Sequence, residues 1–204
     1  MKIQGTLQHM TFVITARSSY LPSLSQVIKA FKGDRHHHHH IMWEVCLDLH
    51  WWQCILSGQG ISWSFLPHLS LDLDVWVDAA MSWGIGLVVK GCWASWKLLD
   101  GWRSRDCDIS WVEMIAMELA LLWVLAAGIC DMKVMIQGEN MGVLGTLNTG
   151  RSRNTASNLS ICWMALDMAP ANILVEPVYM TLETNLADAC SCSSGCQEWV
   201  FRSD

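Results

Sequence analysis

Two tyrosines, four phenylalanines and four prolines are little for a chain of 204 residues. So few prolines exclude a polyproline or collagen-like chain. Charge is scarce too. Asp, Glu, Lys and Arg make up 16% of the sequence against 52% hydrophobic residues, which excludes a largely disordered chain. Basic charge is scarcer still beyond the first third. Residues 1–66 carry five basic and three acidic side chains, a net of +2, whereas residues 67–204 carry eight and sixteen, a net of −8. Gripping nucleic acid calls for a basic surface. The acidic part points instead to carboxylates gathered around a cation.

Other absences narrow the field further. The opening MKIQGTLQHMTF lacks the basic-then-apolar order of a secretory signal. The nine cysteines are therefore expected as reduced thiols in an intracellular protein of cytoplasm or nucleus. Cys190, Cys192 and Cys196 lack zinc-pair spacing, and no histidine follows His68. The run His36–His40 reads as a polar loop able to bind metal only adventitiously. No internal repeat is present. The longest apolar stretch, Trp111–Ile129, has transmembrane length, but Glu113 and Glu118 lie inside it. Each would cost roughly 2.5–3.5 kcal/mol in a bilayer, so a buried amphipathic helix and no membrane are expected. Thirteen tryptophans and twelve methionines form an unusual apolar vocabulary, that of a drifted sequence or one poorly soluble alone.

What is there falls into two parts with a tail. Residues 1–66 read as a small helical segment. Leu24, Val27, Ile28 and Phe31 recur at helical spacing, as do Val45, Leu47, Leu49, Trp52 and Ile55 before Gly58. Residues 70–195 change pattern, and 196–204 form the tail. LDLDVWVDAA alternates Leu71, Leu73, Val75 and Val77 with Asp72, Asp74, Trp76 and Asp78, the period of a strand. WGIGLVVKG and CWASWKLL complete an expected antiparallel meander. Asp108 caps a predicted long helix ending at Gly128, with Trp111, Ile115, Leu119 and Leu122 on one face. MKVMIQG predicts a buried strand, ENMGVLGTLNTG and NTASNLSICWMALDMA helices, ANILVEPVYM a last strand, and TNLADACSCSSG a closing turn or helix. That order is α/β with a mixed five-stranded sheet flanked by helices.

Acids stand at the junctions of this pattern. Asp78 lies near the end of the first strand, Glu113 in the first turns of the long helix, Glu139 just after the fourth strand, and Asp188 in the closing helix. Hard divalent cations such as Mg²⁺ or Mn²⁺ prefer oxygen ligands, and a two-ion hydrolytic site needs several carboxylates converging from different elements. Glu118 competes with Glu113, but five residues turn a helix by about 500°, so the two point apart. Glu113 lies nearer the helix start and is preferred. Asn185, three residues before Asp188, fits a shared helical face.

The segments VDAAMSWGIG, ISWVEMIAMELA, VMIQGENMGV and NLADACS resemble, in order, the four acidic motifs of the ribonuclease H family. With GTLQHMTFV, LHWWQCILS, WASWKLLDGW and GRSRN, the chain is similar to the C-terminal part of fungal-type retroelement reverse transcriptases. The resemblance implies a ribonuclease H-like fold behind a helical thumb or connection segment. It also implies a metal-dependent endonuclease cutting the RNA strand of an RNA–DNA hybrid. Asp78, Glu113, Glu139 and Asp188 would be catalytic metal ligands, and an upstream polymerase portion a partner. No Tyr-x-Asp-Asp polymerase motif occurs. Arg151 and Arg153 in GRSRN would touch the hybrid backbone. Trp76, Trp83, Trp93, Trp96 and Trp102 read as core and hairpin packing rather than a base-stacking platform.

The chain departs from the family at Glu139, where Asp is usual, at Ala80, where many relatives have Ser, and at CSCSSG, which replaces a more basic closing segment. An extra methylene displaces a carboxylate by more than the roughly 0.5 Å that a catalytic site tolerates. The alternative expectation is therefore a catalytically inactive remnant acting as a binding or interaction module.

Overall fold

The computed structural model describes residues 2–11, 18–31, 38, 40–57 and 69–192. Phe12 to Ile14, most of the His36–His40 run, Gly58, His68, Cys196 and the tail 196–204 lie outside the described residues.

Three helices come first: α1 (Lys2–Met10), α2 (Pro22–Ala30) and α3 (Trp43–Leu56), with a 3₁₀ turn over Ser18–Tyr20. Short β1 (Ser70–Leu71) is followed by β2 (Val75–Ala79), β3 (Gly84–Val89) and β4 (Cys92–Lys97). Then come α4 (Ile109–Ala126), β5 (Lys133–Gly138), α5 (Met141–Thr149), α6 (Thr155–Ala171), β6 (Leu174–Tyr179) and α7 (Asp188–Cys192).

The expected mixed sheet flanked by helices is present. Its lateral order is β4-β3-β2-β5-β6, with β3 antiparallel to both its neighbours and β2, β5 and β6 parallel. The strand expected as one piece over 71–78 is broken. β1 and β2 both run alongside β5, separated where Asp74 takes φ 52° and its N–H donates to Asp72 Oδ1 at 2.9 Å. An Asx turn of this kind satisfies the backbone locally and interrupts the ladder. Lys90 and Gly91 close the β3–β4 hairpin, both at positive φ as a two-residue type I′ connection requires.

One face of the sheet is covered by α4 and α6. Val75, Val77, Ala79, Leu87, Val89, Val134 and Ile136 pack there against Val112, Ala116, Met117, Ala120, Leu121 and Val124 of α4. This corrects the expected helix face. Trp111, Ile115 and Leu119 are only half-buried, and Leu122 is exposed. α4 is apolar on nearly every side, so periodicity cannot choose its inner stripe. The helix is long and apolar enough to cross a membrane by length and composition, yet its inner stripe lines the core.

The N-terminal helices share a separate apolar cluster with α6. Tyr20 stacks on Trp51 at 4.1 Å, its hydroxyl donates to the Cys162 carbonyl at 2.7 Å, and Trp52 Nε1 donates to the Tyr20 carbonyl at 3.1 Å. Leu7, Leu24 and Val45 fill the space around them. Leu47, expected on the buried face of α3, points to solvent. Trp76 and Trp93 pack with Val88, Ala187 and Cys190 on the other side of the sheet, and Trp102 packs against the main core, whereas Trp96 is exposed.

Candidate metal centre

Side chains alternate across a strand, so Val75, Val77 and Ala79 fill the α4 side of β2 while Trp76 and Asp78 turn the other way. Asp78 is thereby buried, only 3% exposed, near the C-terminal end of its strand. β5 runs parallel beside it, so both strands finish at one edge of the sheet, and the next residue after β5 is Glu139. Ligand sites of open α/β sheets lie at such carboxyl ends. Asn140 then caps α5, accepting from Gly142 and Val143 N–H, which fixes the turn behind Glu139. On α4, capped by Asp108 through the Trp111 N–H, Glu113 sits in the second turn and is 4% exposed.

Asp78, Glu113 and Glu139 meet. One carboxylate oxygen from each lies within 4.8 Å of the others. Burial raises the pKa of all three, and neighbouring carboxylates add to it, Asp188 for Asp78, Asp78 and Glu139 for Glu113, and Asp78 and Asp188 for Glu139. Glu113, the most affected, is pushed up to about 8, first by burial and then by Asp78 and Glu139. Asp188 opens α7 half-buried and stands outside this tight trio, close enough that its charge raises the pKa of Asp78 and Glu139. Glu118 does not join them. It accepts from Ser160 across the α4–α6 contact, as its separation from Glu113 around the helix requires.

The donor set fits a hard divalent cation. It offers only oxygen ligands, and Glu139 Oε2 is buried with no hydrogen-bond partner. An acceptor left so costs free energy unless something electropositive meets it. Like charges packed this closely are stabilised in the same way.

Two further residues shape the site. Asn185 Nδ2 donates to the Val77 carbonyl at 3.1 Å and to Asp78 Oδ1 at 3.3 Å, and the Ser191 hydroxyl donates to Asp78 Oδ2. Asn185, expected on a helical face with Asp188, instead precedes α7, and its Oδ1 accepts from Ala187 N–H. Sequence reasoning misses Ser191. Its only sequence signal is its place one helical turn after Asp188, within a run that resembles nothing basic. Gly86, paired with Asp78 across the β2–β3 ladder, admits α7 this closely. A Cβ there would lie 2.5 Å from the Ala187 carbonyl oxygen and 2.8 Å from Ser191 N.

Arg151 and Arg153 are exposed. With Lys29 of α2 they line a groove of about 1110 Å³ between the N-terminal helices and the starts of α4, α5 and α6. Met114, next in the chain to Glu113, lines the same groove. Cys190 is buried under the sheet and Cys192 is exposed.

No known family pattern matches the chain, and no curated protein matches it. Among solved structures, the chain is similar to RNase H1 from the halophilic archaeon Halobacterium salinarum NRC-1. The two share 15% identity and a TM-score of 0.43, over 60% of this chain and 92% of that one. A likeness this remote decides nothing further. The functional reading stands on the strand order and the acid trio.

Proposed function

We propose that the protein is a ribonuclease H-type metal-dependent endonuclease acting on the RNA strand of RNA–DNA hybrids. One observation carries this reading: carboxylates from β2, α4 and the end of β5 converge within 4.8 Å. Asp78, Glu113 and Glu139 would hold Mg²⁺ or Mn²⁺, with Asp188 beside them. Cations bound there supply the Lewis acidity that phosphodiester hydrolysis needs. The protein's own part is to keep the acids desolvated and close, and to release the Glu113 proton on loading. Residues 1–66 would form the thumb or connection segment, and residues 70–195 the nuclease domain. The motif resemblances favour a retroelement origin with a polymerase portion as partner.

The groove suits the hybrid's sugar–phosphate backbone, because cations from both parts of the chain border it. Arg151→Ala together with Arg153→Ala is expected to weaken hybrid binding and flatten its dependence on log salt. The slope should fall by roughly 0.7–0.9 for each phosphate that is no longer neutralised. Fluorescence anisotropy with an RNA–DNA duplex at several salt concentrations measures both, and an unchanged slope removes these arginines from the interface.

Incubation with a labelled hybrid tests the activity itself. Cleavage of the RNA strand is expected with Mg²⁺ or Mn²⁺, none with a chelator, and none for Asp78→Asn. RNA that stays intact, or is cut equally by Asp78→Asn, overturns the nuclease reading. A second reading, an inactive module with this fold, is favoured by Asp188 standing outside the trio and by the longer acid at Glu139. Calorimetric titration separates the two. A nuclease site takes up divalent ions saturably and loses that uptake in Asp78→Asn, whereas a dead site shows none.

A further inference from the structure

Asp78 is held at both its carboxylate oxygens by side chains in and just before α7. Both its oxygens accept hydrogen bonds, Oδ1 from Asn185 and Oδ2 from Ser191, so donors at opposite ends fix the plane of the carboxylate. Ser191 is fully buried and Asn185 is 7% exposed. A helical serine ordinarily returns its proton to a carbonyl three or four residues back. That acceptor is present here, since the Asp188 carbonyl lies 2.9 Å from Ser191 Oγ. A hydroxyl has one proton to give, and a bond to a charged oxygen is roughly twice as strong as one to a neutral carbonyl. The Ser191 proton therefore belongs to Asp78.

We propose that Ser191, assisted by Asn185, is a positioning residue of the acid site, holding the Asp78 carboxylate in the orientation from which it ligates a divalent cation. The inference rests on the metal-binding reading above and goes beyond it by assigning a role to α7 other than supplying Asp188. Each carboxylate oxygen has two acceptor directions. Ser191 and Asn185 take one on each, while a carboxylate oxygen of Asp78 lies within 4.8 Å of oxygens of Glu113 and Glu139. The close seat of α7 on Gly86 keeps Ser191 in reach. Partners that orient a metal ligand in this way typically govern affinity by 10–100-fold.

Mn²⁺ titration of the whole chain, followed by electron paramagnetic resonance, tests the role. Ser191→Ala is expected to weaken Mn²⁺ binding by roughly 10–100-fold. The matched control is Ser160→Ala, which removes another buried hydroxyl bonded to a carboxylate, that of Glu118. Both variants should melt at lower temperature in chelator, and only the first should lose Mn²⁺. If Ser191→Ala fails to fold, Ser191→Cys keeps the shape with a weaker donor and carries the same expectation. Wild-type affinity in the Ser191 variant, or equal loss in both serine variants, overturns the positioning role alone. A wild-type protein that takes up no Mn²⁺ overturns the metal-site reading together with it, a result recognised because no variant then differs.

Discussion

Glu113→Gln should make the metal-free protein more stable at pH 8 while leaving its stability at pH 4 nearly unchanged. Glu113 is almost wholly buried, and its pKa is pushed up to about 8 by burial first and by Asp78 and Glu139 second. In the unfolded chain the same group ionises near its ordinary 4.5. Below that value both states are protonated, and the group costs nothing. Between 4.5 and about 8 the unfolded state has shed a proton that the folded state keeps, so stability falls as pH rises through this window. Each unit of separation is worth about 1.4 kcal/mol. Partial exposure of neighbouring Glu139 screens some of this, leaving a loss on the order of a few kcal/mol. Glutamine has nearly the same shape and nothing to ionise. At about 2–4 °C per kcal/mol for a chain of this size, the variant should melt roughly 5–12 °C higher in chelator at pH 8. Adding Mn²⁺ should then raise the wild type and not the variant. Melting curves in chelator at pH 4, 6 and 8 check this, and a gap that fails to widen with pH would show that Glu113 is not held protonated.

The second large effect concerns Glu139. Its carboxylate reaches the trio, and its Oε2 is buried without a hydrogen-bond partner. Reach is not register, however. The extra methylene sets the acid off by about 1 Å, and a displacement of that size can cost on the order of 100-fold in rate. Glu139→Asp is therefore expected to raise the single-turnover cleavage rate by up to about that factor while hybrid affinity stays unchanged. Glu139→Gln, which keeps the length and removes the charge, should lose both cation binding and cleavage. A slower Glu139→Asp would mean that this site is built around the longer acid.

Much of this architecture is readable from residue order. The alternation in LDLDVWVDAA marks a strand with Asp78 outside the main core, and the cap at Asp108 marks the start of α4. Chemistry that depends on local sequence is legible because its partners are near. The break at Asp74 is not legible, since an aspartate fits both an alternating strand and a left-handed Asx turn. The inner stripe of α4 escapes because a helix apolar on most sides offers several equivalent stripes. Sequence nominates four acids, but which of them touch depends on where β2 and β5 end together, leaving Asp188 outside the tightest group. Ser191 escapes altogether, because a serine among cysteines gives no sign that its partner lies on a distant strand.

Asp78 and the hydroxyl that holds it stand 113 positions apart in the chain, and Asp78 and Asn185 stand 107 apart. A ribosome releases β2 long before it releases α7. Nascent protein can thus bury Val77 and form its hairpin while the neighbouring aspartate still lacks both its donors. The orientation of Asp78 arrives with α7, and any premature stop ahead of Asn185 would leave that acid without either donor.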